Sequence, residues 1–306
     1  FAERLMKMTD IIVVGAGPAG LTAAIYALRA GKSVLVLEKE NFGGQVNYSP
    51  KIENYPGFTN ISGSELADLL VEQALAQGAQ LDLEQVTSVK REPDGFVVYT
   101  DSGEHKCKAV IIATGAKHRH LNVPGEEKYI GNGISFCAVC DGAFYSGQHV
   151  CVIGGGNSAL QEALLLAETS SKVTILQNLD FFTGEKKLAE LVQSKDNIET
   201  VFGVTVTEFF GEDEVKGAVV KKEKTGETFK VEADGFFEAV GLAPDNEPFA
   251  KETELENGYV KSGENCLTSA QGIFTAGDCR TKRIRQIATA VADGAVAALA
   301  ACEYLS

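Results

Sequence analysis

The sequence predicts an α/β protein of two three-layer, doubly wound domains, the second inserted into the first. Three observations predict it. Val/Ile-rich runs alternate with Ala-rich stretches, and glycine is frequent at 32 residues, as helices lying tightly on sheets require. An apolar run leading into a glycine turn and a helix occurs near residue 15 and again near residue 154. After the second pattern ends, the chain returns to the theme of the first. A length of 306 residues suits about two domains, and 44% hydrophobic residues suffice for ordinary packed cores.

Residues 1–7 precede Met8-Thr9-Asp10 and open on Phe1, which is no normal initiator. They are expected to be processed or appended and to lie outside the fold. Ile11–Val14 is then a short apolar run, followed by Gly15-Ala16-Gly17-Pro18-Ala19-Gly20. Leu21–Arg29 reads as a helix, and Ser33–Leu37 as a strand ending in Glu38. Strand, G-x-G-x-x-G, helix, strand, acid is the dinucleotide pattern. Its glycines allow a tight turn and close backbone approach to a pyrophosphate at the helix N-terminus. Glu38 can accept hydrogen bonds from ribose hydroxyls. The full context, more than the six-residue motif, carries the assignment to a Rossmann-like domain of FAD/NAD(P) type.

Ala109–Gly115 (AVIIATG) reads as a strand leading into a glycine turn and closes this unit. Next comes Cys137-Ala138-Val139-Cys140, followed by Asp141-Gly142. Two cysteines separated by two residues can close a small disulfide ring, open it and close it again. That makes the pair a two-electron store rather than a staple.

The dinucleotide pattern then repeats. Val150–Ile153 is a strand, Gly154-Gly155-Gly156-Asn157-Ser158-Ala159 a turn, Leu160–Glu168 a helix and Lys172–Leu176 a strand. Gln177 stands as far from Gly154 as Glu38 does from Gly15, so a neutral amide replaces the carboxylate. Gly235–Gly241 (GFFEAVG) matches the earlier closing strand. Finally Gly272–Asp278 is a strand ending at Gly277-Asp278, and Arg285-Gln286-Ile287-Ala288 opens an Ala-rich helix. This end is expected to complete the first domain. The expected limits are 8–116 with 246–306 for the first domain and 117–245 for the insertion. Hinges are placed near Lys117–His120 and Leu242–Glu247.

A net charge of −14 argues against nucleic acid as a partner, because phosphate binding needs a basic surface. No uncharged apolar run reaches membrane-spanning length, so no membrane role is expected. The cysteines outside the pair, at 107, 151, 266, 279 and 302, are scattered. They read as inert thiols in a reducing cytoplasm, with Cys151 and Cys279 as small packing residues. No second C-x-x-C or His cluster supports a metal site, and His118 and His120 read as linker residues.

The motifs GAGPAG (15–20), GGQ (43–45), ENYPG (53–57), ATG (113–115), CAVCDGAFY (137–145), GGGNSA (154–159), GIFTAGD (272–278) and RQIATA (285–290) resemble the low-molecular-weight thioredoxin reductases across nearly the whole chain. The resemblance implies an FAD-containing homodimer that passes electrons through the flavin to the cysteine pair and on to thioredoxin. It implies FAD contacts from Gly15, Gly17, Pro18, Ala19, Gly20, Glu38, Gly43, Gly44, Gln45, Asn54, Val86, Ala113, Thr114, Gly115, Gly277, Asp278, Arg285, Gln286, Ile287 and Ala288. Asp278 and the helix start after it would hold ribitol and flavin. Asp141 would be the acid that protonates a leaving thiolate. The resemblance favours Cys140 as the cysteine facing the flavin, with Cys137 its disulfide partner.

The chain departs from the family in its second unit. Members that use pyridine nucleotide carry a basic H-R-R-x-x-x-R pattern after the second-unit strand, which binds the 2′-phosphate of NADPH. Here the stretch reads Gln177-Asn178-Leu179-Asp180-Phe181-Phe182-Thr183. Asn178, Leu179 and Thr183 stand where arginines are expected. Each lost contact removes a charge-assisted bond of about 1.5–3 kcal/mol. Phe181 and Phe182 could also fill part of the empty pocket. NADPH is therefore not expected to serve as a cofactor.

The pattern resembles the ferredoxin-dependent flavin thioredoxin reductases of anaerobes, which keep the fold and FAD but do not use NADPH. The expected path runs from reduced ferredoxin to FAD, to the Cys137/Cys140 disulfide, to thioredoxin. Arg280, Lys282, Arg283 and Arg285 form a basic stretch in an acidic chain. They are either FAD contacts on a solvated loop or a dock for an acidic ferredoxin. Two alternatives stay open: a pyridine-nucleotide-dependent reductase with an unusual pocket, and an FAD-dependent dithiol oxidase using dioxygen. The Cys-Asp-Gly context counts against the oxidase.

Overall fold

The computed structural model describes residues 8–49 and 51–306. The segment 1–7 set apart above lies outside the described residues. The chain divides into two compact units, one ending at Lys117 and resuming at Ala243–Ser306, the other spanning His118–Leu242. The limits expected from sequence, 117 and 245, differ slightly, because the chain crosses inside two short strands, Ala116–His118 and Leu242–Pro244, which pair with each other.

In the first unit, parallel strands Gln80–Leu83, Val34–Glu38, Thr9–Val14 and Glu104–Ile112 lie side by side, and Ile273–Thr275 adds to the last of them. Ile11 sits opposite both Val34 and Ala109. The start of Glu104–Ile112 instead pairs antiparallel with Gly95–Thr100, which pairs with Val86–Glu92. Strands buried on both faces need unbroken apolar runs, and Ile11–Val14 and Val34–Leu37 supply them. Alternate residues serve opposite faces. Ile11, Val13, Val36 and Ile111 meet helices Pro18–Arg29, Gly63–Ala76 and Ile287–Tyr304. Ile12, Val14, Leu37 and Ile112 meet Phe96, Val98 and Phe249.

The helix Ile287–Tyr304 is long and apolar enough to cross a bilayer by length and composition. Its packing makes it a core helix. It lies so close to Pro18–Arg29 that a Cβ on Gly294 would fall 2.2 Å from the Ala19 carbonyl. Asp293, within it, is held by Arg280 and Lys282.

The second unit repeats the scheme. Its parallel sheet runs Ile198–Phe202, Lys172–Gln177, His149–Ile153, Gly235–Glu238 and Ile134–Ser135. Helices Asn157–Leu166 and Lys186–Gln193 cover one face through Leu160, Val173, Ile175 and Phe237. An antiparallel sheet of Val204–Gly211, Val215–Lys222 and Thr228–Glu232 covers the other, through Val206, Phe209 and Phe236. In both units the strand before the glycine turn lies between the strand after the helix and the closing strand. This common order is what an internal duplication produces.

Candidate functional site

The first glycine turn is built as the sequence requires. Gly15 has φ +107°, and a Cβ there would lie 2.3 Å from the Ala113 carbonyl. A Cβ on Gly20 would lie 1.8 Å from the Gly15 carbonyl. Pro18 opens the helix, and Gly17 before it offers no side-chain cap, so the first N–H groups are left to a ligand. Glu38 is turned onto this turn: Oε2 accepts from the Ala16 N–H at 2.8 Å and Oε1 from the Glu40 N–H at 2.9 Å. It therefore organises the loop as well as offering acceptors. A cavity beside it is lined by Gly15, Glu38, Glu84, Val86, Thr114 and Phe249.

The other expected FAD residues lie in the same unit. Gly43 and Gly44 have positive φ and open a short 3-10 turn, and Gln45 Nε2 donates to the Ala116 carbonyl at 2.7 Å. Asn54 Nδ2 donates to Gln286 Oε1 at 3.3 Å, and Gln286 with Thr289 forms the capping box of Ile287–Tyr304. Ile287 and Ala288 form the first turn of that helix. Ala113 and Gly115 flank Thr114, whose hydroxyl donates to Asn246 Oδ1 at 2.8 Å. Asn246, not expected from sequence, in turn donates to the Gly258 and Cys279 carbonyls at 2.9 Å each. Arg285 lies over the Tyr259 ring at 4.3 Å and donates to the Asp278 carbonyl.

These residues fit FAD. Asp278 Oδ1 is buried with no hydrogen-bond partner, and burial pushes the carboxyl up to about 6. An orphaned buried acceptor beside the positive-φ Gly277 is a site made for a polar ligand.

The basic stretch after Asp278 is not a docking face. Arg280 is 1% exposed, and its guanidinium grips Asp293 from Nε at 2.8 Å and Nη2 at 2.9 Å. The Lys282 side chain is 5% exposed and reaches Asp293 Oδ2 at 2.8 Å. The Gly277 N–H donates to the same oxygen at 3.0 Å. Of the four basic residues only Arg283 is exposed. The stretch is an internal clamp under the Gly277-Asp278 turn.

In the second unit, Cys137 and Cys140 form a disulfide at the start of the short helix Ala138–Asp141. The Cys140 N–H donates to Cys137 Sγ at 3.2 Å, and the Asp141 N–H to the Cys137 carbonyl at 3.0 Å. Burial raises the Asp141 carboxyl above its ordinary value, and a 2.6 Å hydrogen bond from Ser135 Oγ offsets part of that rise. Sequence reasoning missed Ser135. The other five cysteines are buried, and burial raises every one of their thiols.

The two linker histidines are engaged within this unit. His118 stacks on Phe136, and burial, then His120, lowers it to about 4. His120, Glu126 and Glu238 bring possible ligand atoms within 4.8 Å of one another. Glu126 already accepts from His120 Nδ1 and from the Leu121 and Val123 N–H groups. Burial, then Glu126, pushes Glu238 up to about 9, so a protonated Glu238 against Glu126 accounts for the cluster.

A family model described as pyridine nucleotide-disulphide oxidoreductase matches residues 9–294. Thioredoxin reductase of Treponema pallidum is 40% identical over 97% of this chain and 97% of its own. A 34.2 kDa protein in the rubredoxin operon of Clostridium pasteurianum is 41% identical over 98% of each. The crystal structure of thioredoxin reductase from Streptococcus pyogenes superposes with a TM-score of 0.94 at 39% identity, covering 98% of this chain and 99% of that one. The chain belongs to the thioredoxin reductase family of flavin disulfide oxidoreductases. Its fold, its FAD unit and its redox-active cysteine pair are those of that family.

Membership corrects one expectation. NADPH was set aside on the missing arginines, but the matched family is one of pyridine nucleotide enzymes, and its model runs through the whole second unit. That unit keeps the nucleotide framework this thioredoxin reductase family implies. Gly154 has φ +131°, with a Cβ position 2.5 Å from the Ala239 carbonyl, and no side chain caps the helix start at Gly156. The differences are local. Gln177 Nε2 donates to the Phe181 carbonyl at 3.0 Å, and Oε1 accepts from the Asn178 N–H at 3.2 Å. Its amide lies where a Cβ on Gly155 would be. Phe182 packs edge-on against Phe202, whereas Phe181 is 60% exposed. Only Phe182 is turned inward.

Proposed function

We propose that this protein is a thioredoxin reductase that draws electrons from a reduced pyridine nucleotide through an atypical second nucleotide unit. The observation that carries the donor assignment is the retained strand–glycine turn–helix at Gly154, inside a family match that spans it. When bound, FAD supplies the centre that accepts electrons from the donor and delivers a pair to the disulfide. Gly15, Gly17 and Gly20 would admit its pyrophosphate to the start of Pro18–Arg29, and Asp278 would anchor its polar chain. Cys137 and Cys140 store the electron pair as two thiols. Asp141, held more protonated than an ordinary carboxyl by burial, delivers a proton to the thiolate that leaves when the disulfide opens. The dithiol then reduces the disulfide of thioredoxin by exchange. A homodimer in a reducing cytoplasm is part of the proposal.

A second reading keeps reduced ferredoxin as the donor. One observation favours it: Asn178, Leu179 and Thr183 stand where the family's NADPH-binding pattern has arginines. Anaerobic stopped-flow with NADPH, NADH and reduced ferredoxin in parallel decides between them. Flavin bleaching by NADPH or NADH at catalytic rates supports the pyridine nucleotide. Bleaching by ferredoxin alone overturns that donor and leaves the thioredoxin reductase assignment in place.

A further inference from the structure

We propose that Ser135 is a positioning residue for Asp141: its hydroxyl fixes the carboxyl beside the cysteine pair and sets the pH at which that group gives up its proton. The inference rests on the acid role given to Asp141 above.

The geometry is specific. Ser135 ends the strand Ile134–Ser135 and is 5% exposed. Its Oγ accepts the Cys137 N–H at 3.1 Å. That leaves its single proton free to donate, and Asp141 Oδ2 receives it at 2.6 Å. Asp141 is thus tied to Cys137 twice, through its own N–H to the Cys137 carbonyl and through the serine. A hydroxyl that donates to a carboxylate favours the charged form, whereas burial favours the neutral acid. Ser135 therefore works against burial, and the acid keeps its proton until one is needed but can still release it.

The step it serves is balanced. An incoming thiolate bonds to one sulfur of Cys137–Cys140, and the S–S bond breaks. The bonding pair goes to the leaving sulfur, and Asp141 transfers its proton there, ending as a carboxylate held by Ser135. Two other titratable groups lie on the elements packed against Ala138–Asp141. Tyr145, which feels the Asp141 charge, is pushed up to about 12 by burial and then by that charge, and stays neutral. Glu162, on the helix Asn157–Leu166, is pushed up to about 8 by burial and titrates in the working range.

The test measures reduction of the disulfide in FAD-loaded enzyme by dithiothreitol, quenched by alkylation and read by mass. The rate constant is divided by the concentration of dithiothreitol thiolate at each pH. Glu162→Gln serves as background, so that limb cannot arise from Glu162. The corrected rate should fall as pH rises through the Asp141 pKa. Ser135→Ala removes a bond to the anion, so the limb should move up by about one pH unit. Ser135→Thr, which keeps the hydroxyl, should return it, and Asp141→Asn should lack it. A limb that stays in place in Ser135→Ala while Asp141→Asn lacks it overturns the role of Ser135 and spares that of Asp141. A uniform slowing with an unmoved limb overturns it as well, since the serine then only supports packing. A limb that persists in Asp141→Asn removes the acid, and both readings fall. If Ser135→Ala fails to retain FAD, Ser135→Cys, similar in size and a weaker donor, must shift the limb the same way.

Discussion

Replacing Asp293 by Asn should loosen the turn that carries Asp278. Asp293 accepts four hydrogen bonds, from Arg280 Nε and Nη2, Lys282 Nζ and the Gly277 N–H. The two cations are almost fully enclosed, so removing the carboxylate charge takes away the ion pair of Lys282 and leaves Arg280 only a longer 3.3 Å contact to the solvent-exposed Glu264. Breaking a buried pair from one side costs about 3–5 kcal/mol, and the remaining amide oxygen places Asn at the low end, about 3 kcal/mol. For a unit of this size that is a melting shift of roughly 6–12 °C. The pH dependence gives a second signature. Burial opposes the Asp293 charge, but the Arg280 and Lys282 hydrogen bonds outweigh it and hold the carboxyl below 3.8. A depressed folded-state value means that this stability is complete above the unfolded-state value, near 3.9, and is lost as pH falls through the folded one. The wild type should therefore lose part of its advantage over Asp293→Asn below about pH 4. Flavin fluorescence during heating, at neutral pH and near pH 4, reads both unfolding and FAD release. A variant that melts within 2 °C of wild type at neutral pH, using roughly the size scaling above, would refute the clamp.

Cys137→Ser and Cys140→Ser should each abolish reduction of thioredoxin while retaining FAD, because one thiol cannot complete a two-electron exchange; wild-type turnover in either would remove the relay. Gly20→Ala should fail to load FAD, since its Cβ would fall 1.8 Å from a backbone oxygen, whereas Gly103→Ala, with nothing within 4 Å, should load normally. Equal FAD content in both would contradict the turn geometry. Glu38→Ala should weaken FAD retention and also destabilise the apoprotein by about 1–3 kcal/mol, because the buried Ala16 N–H loses its acceptor. An unchanged apoprotein melting point would leave only the ribose role to test.

The parts legible in the sequence are those whose cause is local. A glycine turn after an apolar run needs positive φ at its first residue, and Gly15 and Gly154 both have it. Buried parallel strands need unbroken apolar runs, and Ile11–Val14 and Val34–Leu37 show them. The parts that misled are those whose partner is distant. Arg280 and Lys282 read as a surface charge run because Asp293 lies in an Ala-rich helix further along, and the one available signal was that acid in an otherwise apolar stretch. Ser135 is an ordinary residue before the cysteine pair until the short helix folds Asp141 back onto it.

Gln177 shows the limit most clearly. Its offset from the glycine turn matches that of Glu38, which made it a weakened copy of the ribose anchor. The side chains differ in more than charge. A carboxylate only accepts, so Glu38 turns to N–H groups of Ala16 and Glu40. An amide also donates, so Gln177 finds the Phe181 carbonyl and closes its own loop. One oxygen exchanged for an NH2 group thus leaves the side chain against Gly155 of the glycine turn but turns its hydrogen bonds to the segment after the strand. The loop 178–183 is then shaped by Gln177 as much as by the residues that replaced the arginines, and restoring arginines alone should not rebuild a phosphate site there. Arg at 178, 179 and 183 together should lower the KM for NADPH only modestly. Adding Gln177→Glu, which cannot donate to the Phe181 carbonyl, should release the loop and lower it further. Full recovery from the three arginines alone would show that Gln177 plays no part in shaping the pocket.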